Sequence, residues 1–232
     1  MAKLRVPSLA VFWVHSPSDN MDTLSFHLHT QADVHGLRQV FRLPENLFDD
    51  DVIAFAQQKY RVLLEEEIFP HHLQKITAIT YVLRYGEKDF YIRTLNNGNE
   101  EKILTDFFYI LETIQPHLIC RQQPKILLYR SLINGISTPS FDWLNAVDDF
   151  VSSQKYLDDL SILCGFPLLE SFDKNSQEEV QTLNDYLIYL RYALSTNAID
   201  ADQYHQEIAI VRHFLSQYSQ YSHWQTYLRE WQ

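Results

Sequence analysis

Two strand-like segments joined by a short polar turn constrain the fold of this chain more than any other feature. The segments 76–84 and 89–94 are rich in β-branched and aromatic residues, and they flank the turn Tyr85-Gly86-Glu87-Lys88. Such segments on either side of a glycine-containing turn are typical of an antiparallel β-hairpin. The chain therefore has a sheet, and its other elements must pack around that sheet.

The segments after the hairpin predict a helix, a short strand and a second helix. Asn99 can cap the first helix, in which apolar residues recur at helical spacing over 103–114. Residues 118–120 form a short apolar strand. Pro124 suits the first turn of the second helix, which Asn134-Gly135 ends.

Further strands and helices are predicted on both sides of this region. Residues 9–14 are an unbroken apolar run that suits a central strand, and residues 24–29 alternate between apolar and polar side chains. Ser176 and Glu179 fit a capping box that opens a long amphipathic helix. This order of elements favours an α/β domain, in which helices pack on the faces of a mixed sheet.

Composition argues against three classes of protein: membrane-spanning, secreted and generic nucleic-acid-binding proteins. The 232 residues suit one compact domain, and no apolar run reaches the roughly 18 residues of a membrane span. Residues 1–10 lack a secretory signal, and two cysteines make no disulfide framework, so we expect a cytoplasmic protein. The net charge of −11 disfavours a generic nucleic-acid-binding protein, because such proteins neutralise phosphates with Lys and Arg.

Three segments in order carry a resemblance to a known family. They are FPHHLQKITAIT at 69–80, LLYRSLINGIS at 127–137 and LNDYLIYLR at 183–191. Together they resemble the predicted 3′–5′ exonucleases related to the proofreading exonuclease domain of family B DNA polymerases. The resemblance implies a ribonuclease-H-like fold for a domain at 1–216. Residues 217–232 are then an aromatic-rich, helical C-terminal extension.

The resemblance also implies a chemistry that needs carboxylates. The family hydrolyses phosphodiesters with two divalent cations, and Mg²⁺ prefers oxygen ligands. The positions that correspond to the family's four metal-binding carboxylates and its water-orienting tyrosine carry no acidic side chain; they are Trp13, His15, Gln123, Gln181 and, for the tyrosine, Gln177. The sequence therefore predicts a catalytically degenerate exonuclease-like domain with no cofactor, which binds or scaffolds a protein partner.

Two other functions stay open at this point. Acidic residues elsewhere could rebuild a site for Mg²⁺ or Mn²⁺, which would make the chain an active exonuclease; the candidates are Asp148, Asp149, Glu178 and Asp185. Alternatively, a small basic patch of Arg121, Lys125 and Arg130 could bind single-stranded nucleic acid without chemistry.

The histidines and the C-terminal aromatics allow further interpretations. His27 and His29 could face one side of a strand and bind a transition metal, although strand histidines more often face solvent. Trp224, Tyr227 and Trp231 could anchor a partner protein, or they could dock on the core of this chain.

Overall fold

A computed structural model describes most of the chain after its first 21 residues. The described residues are 22–64, 69–96, 98–121, 124–140, 142, 147–148, 150–151, 157–218 and 220–231. The strand predicted at 9–14 lies outside them, as do Trp13, His15 and Gln123.

The described strands form one mixed four-stranded sheet. They are β1 (Thr23–Ala32), β2 (Gln74–Tyr85), β3 (Asp89–Leu95) and β4 (His117–Cys120), in the order β3-β2-β1-β4. Strand β2 is antiparallel to β1 and β3, whereas β4 is parallel to β1. The predicted hairpin and the strand at 118–120 are therefore confirmed.

Helices cover both faces of the sheet and extend to the C terminus. They are α1 (Val34–Phe41), α2 (Asp49–Leu64), α3 (Glu100–Ile114), α4 (Lys125–Asn134), α5 (Leu157–Leu163), α6 (Lys174–Ser195), α7 (Ala201–Gln217) and α8 (Ser222–Glu230). Asn99 caps α3 by accepting a hydrogen bond from the Glu101 N–H, and Gly135 ends α4 in the left-handed conformation. Both helix boundaries were predicted from the sequence.

The start of α6 differs from the prediction. The capping box expected at Ser176 and Glu179 does not form, and the helix begins at Lys174. The carboxylate of Asp173 accepts hydrogen bonds from the backbone N–H of Ser176, at 3.2 Å, and from its hydroxyl, at 2.8 Å. The Ser176 hydroxyl is therefore a donor inside the first turn, because Asp173 already caps the helix.

The alternation in β1 divides its side chains between two cores. Leu24, Phe26 and Leu28 pack with residues of α3 and α4, such as Phe107 and Leu127. The other face of the sheet is covered by α6, with which Val82, Phe90 and Ile119 form a second core. This architecture is the α/β, ribonuclease-H-like fold predicted from the sequence.

The C-terminal helices α7 and α8 pack into the same core as α6. Trp224, Tyr227 and Trp231 are buried there, and the Tyr227 hydroxyl donates to Asn184 Oδ1 on α6 at 2.6 Å. The placement of these three aromatic rings therefore matches docking on the chain's own core. Within the described part of the chain, none of the helices has the length and apolar character that would be needed to span a membrane.

Candidate functional site

The polar face of β1 forms one wall of the candidate site. Because side chains alternate along a strand, Ser25, His27 and His29 lie on the face opposite to the apolar residues of β1. The Ser25 hydroxyl donates to the carbonyl of Thr182 at 3.1 Å, which places α6 directly over this face. Polar groups of β1 and α6 therefore meet inside the molecule.

His29 connects β1 to α6 and to β2. Its Nδ1 lies 2.9 Å from Glu178 Oε1 on α6, and its Nε2 lies 2.8 Å from Thr80 Oγ1 on β2. Burial lowers the pKa of His29, although the Glu178 carboxylate acts in the opposite direction. The strand register shifts directly after His29, and such bulges are often found next to functional sites.

His27 is a largely shielded imidazole beside His29 and Arg121. Its ring packs edge-on against that of His29, with 5.4 Å between centroids, and its buried Nδ1 has no hydrogen-bond partner among the described residues. Burial lowers the pKa of His27 to about 4, and positive charge on His29 and Arg121 acts in the same direction. At neutral pH the ring therefore carries no charge.

Arg121 brings the positive charge to this site. It follows β4 directly, and its guanidinium contacts two acidic residues on different helices. Nη2 and Nε donate to Asp185 Oδ1 and Oδ2 on α6 at 2.6 and 3.2 Å, and Nη1 donates to Asp158 Oδ1 on α5 at 2.6 Å. This geometry is the bidentate fork that makes Arg–carboxylate pairs strong.

The Arg121–Asp185 pair is largely shielded from solvent. The side chains are 17% and 2% exposed, whereas that of Asp158 is 60% exposed. Burial raises the pKa of Asp185 to about 6, although Arg121 acts against this shift. Burial also opposes the charge on Arg121, but the two carboxylates outweigh it and raise the pKa of the guanidinium.

The predicted motif residues of α6 lie beside this cluster. Gln177 donates from Nε2 to the carbonyl of Phe172 at 3.0 Å, so its amide is used to hold the chain before α6. Gln181 is half-buried and lies on the helix face shared by Glu178 and Asp185. The structure therefore brings Gln181 to the site, without a carboxylate.

Three of the four acidic residues that could have rebuilt a metal site already have partners within the chain. Glu178 pairs with His29, and Asp185 pairs with Arg121. Asp148 accepts from the Phe150 N–H at 2.8 Å and contacts His117, while Asp149 lies outside the described residues. Among the residues that the structure describes, no three His, Cys, Asp or Glu side chains come close enough to hold a metal ion.

The three basic residues named from the sequence do not form one exposed patch. Arg121 is used within the site. Arg130 is 4% exposed and binds Glu100 and Asp33, with its closest contact to each at 2.7 Å. Lys125 is exposed at the beginning of α4.

The fold and a comparison with known families together define the class of protein. A mixed sheet with a long helix packed on the polar face of its central strand is a ribonuclease-H-like domain. The family model for predicted 3′–5′ exonucleases related to the exonuclease domain of PolB matches residues 66–162 and 140–231. The chain belongs to this family. No curated protein and no solved structure matches the chain significantly.

The divalent cations that the family chemistry implies do not fit the described donor set. Where β1, β4 and α6 meet, the groups are two imidazoles, an amide and two carboxylates, of which Glu178 pairs with His29 and Asp185 binds a guanidinium. Mg²⁺ prefers several carboxylate or carbonyl oxygens, and neutral imidazole is a ligand for softer metals. The described residues therefore lack the ligands of a two-metal site.

The sequence indicates some of these residues but not their arrangement. The alternation at 24–29 predicts that His27 and His29 lie on one face of a strand. No sequence signal joined Arg121 to Asp185, which is 64 residues away.

Proposed function

We propose that this chain is a catalytically degenerate 3′–5′ exonuclease-like domain that acts by binding. The observation that carries the proposal is the Arg121–Asp185 pair at the meeting point of β1, β4 and α6. In a two-metal nuclease this region needs carboxylates that are available to cations. Here its buried carboxylate is already neutralised by the chain itself.

The Arg121–Asp185 pair leaves no net charge that would attract a metal ion. Two unit charges about 4 Å apart interact by about 4 kcal/mol at a dielectric constant of about 20, so Arg121 repels a nearby divalent cation by about 8 kcal/mol, which is about as much as Asp185 attracts it. Because both oxygens of Asp185 accept hydrogen bonds from Arg121, a metal ion would have to compete with the guanidinium for the carboxylate. His27 and His29 contribute no negative charge.

The sheet topology supports the assignment of β1 to the position of the family's first catalytic strand. The strand lies between the antiparallel β2 and the parallel β4, and its polar face meets α6. This is where the first catalytic strand of a ribonuclease-H-like nuclease would lie. We propose that His27-Leu28-His29 takes the place of the family's Asp-x-Glu, instead of the segment around Trp13 and His15.

The charges and the exposed side chains of this chain favour a protein over a nucleic acid as its partner. The protein is acidic overall, and two of the three basic residues considered for nucleic acid are used in internal ion pairs. In contrast, Tyr129, Leu132 and Ile133 are exposed on α4. Exposed aromatic and aliphatic side chains are frequent anchors of protein interfaces.

A nuclease assay tests the proposal directly. The 232-residue chain is incubated with 5′-labelled single-stranded DNA and about 10 mM Mg²⁺ or Mn²⁺, and product lengths are followed by electrophoresis. We expect no shortening of the DNA from its 3′ end. Metal-dependent shortening that disappears in Asp185→Asn would contradict the proposal and support an active exonuclease with relocated ligands.

A further inference from the structure

We infer that the guanidinium of Arg121 replaces the catalytic metal as a cation built into the chain, which holds β4, α5 and α6 together. This inference rests on the proposed function and adds the source of the positive charge at the site. The position, the contacts and the charge of Arg121 each support it.

Arg121 lies at the level of the site on the strand next to β1. The parallel register pairs Phe26 with Cys120, so His27 and Arg121 are the next residues along the two strands. A cation at the end of β4 therefore lies beside the polar face of β1. The charge of Arg121 disfavours protonation of His27, which agrees with this closeness.

The contacts of Arg121 resemble those of a bridging ion. Its nitrogens meet carboxylate oxygens from α5 and α6, and Arg121 itself continues from β4, so one side chain links three elements. The planar guanidinium links these elements with directed hydrogen bonds and with a charge that does not depend on pH.

The charge balance explains why a cation is needed here at all. Asp185 is almost completely buried, and a buried carboxylate without a positive partner is strongly destabilising. Arg121 supplies that partner in every molecule, independently of the metal concentration. Folding of the wild-type protein should therefore not respond to divalent cations, whereas removal of Arg121 should create such a response at Asp185.

Thermal unfolding of variants with and without Mn²⁺ tests this inference. We expect Arg121→Ala to lower Tm by roughly 10 °C, because Asp185 loses its partner. About 10 mM MnCl₂ should raise the Tm of this variant by about 3 °C or more and leave that of the wild type unchanged. The matched control is Lys125→Ala, which removes one positive charge from an exposed site and should show neither effect.

A double variant tests whether Mn²⁺ raises the Tm of Arg121→Ala by binding at Asp185. In Arg121→Ala/Asp185→Asn the buried charge is gone, so Mn²⁺ should no longer raise Tm. An Mn²⁺ effect that persists in the double variant, or that is absent from Arg121→Ala, would overturn the inference. If Arg121→Ala does not fold, Arg121→Gln keeps most of the side-chain volume and allows the same measurement.

The inference and the proposed function fail in different ways. DNA degradation by the wild-type protein would contradict the proposed function, whatever the variants do. An inactive wild type together with an Arg121→Ala variant that ignores Mn²⁺ would leave the proposed function in place. In that case Arg121 and Asp185 would form an ordinary ion pair that does not stand in for a metal ion.

Discussion

The buried imidazole of His27 should make the protein lose stability in acid. The pKa of an unperturbed histidine is 6.5, and burial in the folded state lowers that of His27 to about 4. Between pH 6.5 and about pH 4, His27 is therefore mostly protonated in the unfolded chain and mostly neutral in the folded chain. The contribution of His27 to stability is therefore complete above pH 6.5 and is lost progressively as the pH falls to about 4.

The size of this effect follows from the shift. Lowering the pKa from 6.5 to about 4 corresponds to about 3 kcal/mol, since a tenfold change in proton affinity is worth about 1.4 kcal/mol. Because the ring keeps some contact with solvent, we take this value as an upper bound on the stability lost between pH 7 and pH 4. This is a large part of the stability of a typical domain.

The substitution His27→Gln removes this titration and keeps a polar side chain. Urea unfolding followed by tryptophan fluorescence gives the free energy of unfolding near neutral pH and near pH 4 for both proteins. We expect the loss between the two pH values to be up to about 3 kcal/mol smaller in the variant. A constant effect of the substitution cancels, because only the difference between pH values is compared.

An exposed histidine provides the control for His27. His205 lies on the solvent side of α7, so its ring is solvated in both the folded and the unfolded state. His205→Gln should therefore behave like the wild type at both pH values. If His27→Gln and the wild type lose the same free energy of unfolding between neutral pH and pH 4, His27 is not buried as a neutral imidazole.

Two further substitutions test contacts away from the ion pair of the site. Tyr227→Phe removes the buried hydrogen bond to Asn184 and should cost about 1–3 kcal/mol in urea unfolding; no change would mean that α8 does not dock through this bond. Arg130→Ala leaves Glu100 buried without its cation and should cost about 3–5 kcal/mol, whereas Lys125→Ala should stay within about 0.5 kcal/mol. Equal effects of the two substitutions would contradict the different burial of these residues.

Local signals in the sequence predict much of this fold. The hairpin, the Asn99 cap of α3 and the Gly135 end of α4 each depend on a few neighbouring residues, and all three are confirmed. The capping box at Ser176 was wrong for an equally local reason, since Asp173 competes for the same N–H. Such competition between neighbouring caps cannot be resolved from residue types alone.

The site depends on pairings that no local pattern contains. Arg121 and Arg130 look like surface charges in the sequence, yet each is shielded by carboxylates from distant segments. Their partners become neighbours only when α3 and α6 pack on opposite faces of the sheet. In the same way, Trp224 and Trp231 could have served an interface or a core, and the packing of α8 places them in the core.

Mn²⁺ binding to the wild-type chain, measured by calorimetry, distinguishes a lost metal site from a retained one. We expect no binding tighter than about 1 mM, because Arg121 already neutralises the buried carboxylate of the site. Binding of two Mn²⁺ ions at micromolar affinity, lost in Asp185→Asn, would contradict it. Such a result would mean that the chain has retained the metal site of an active exonuclease.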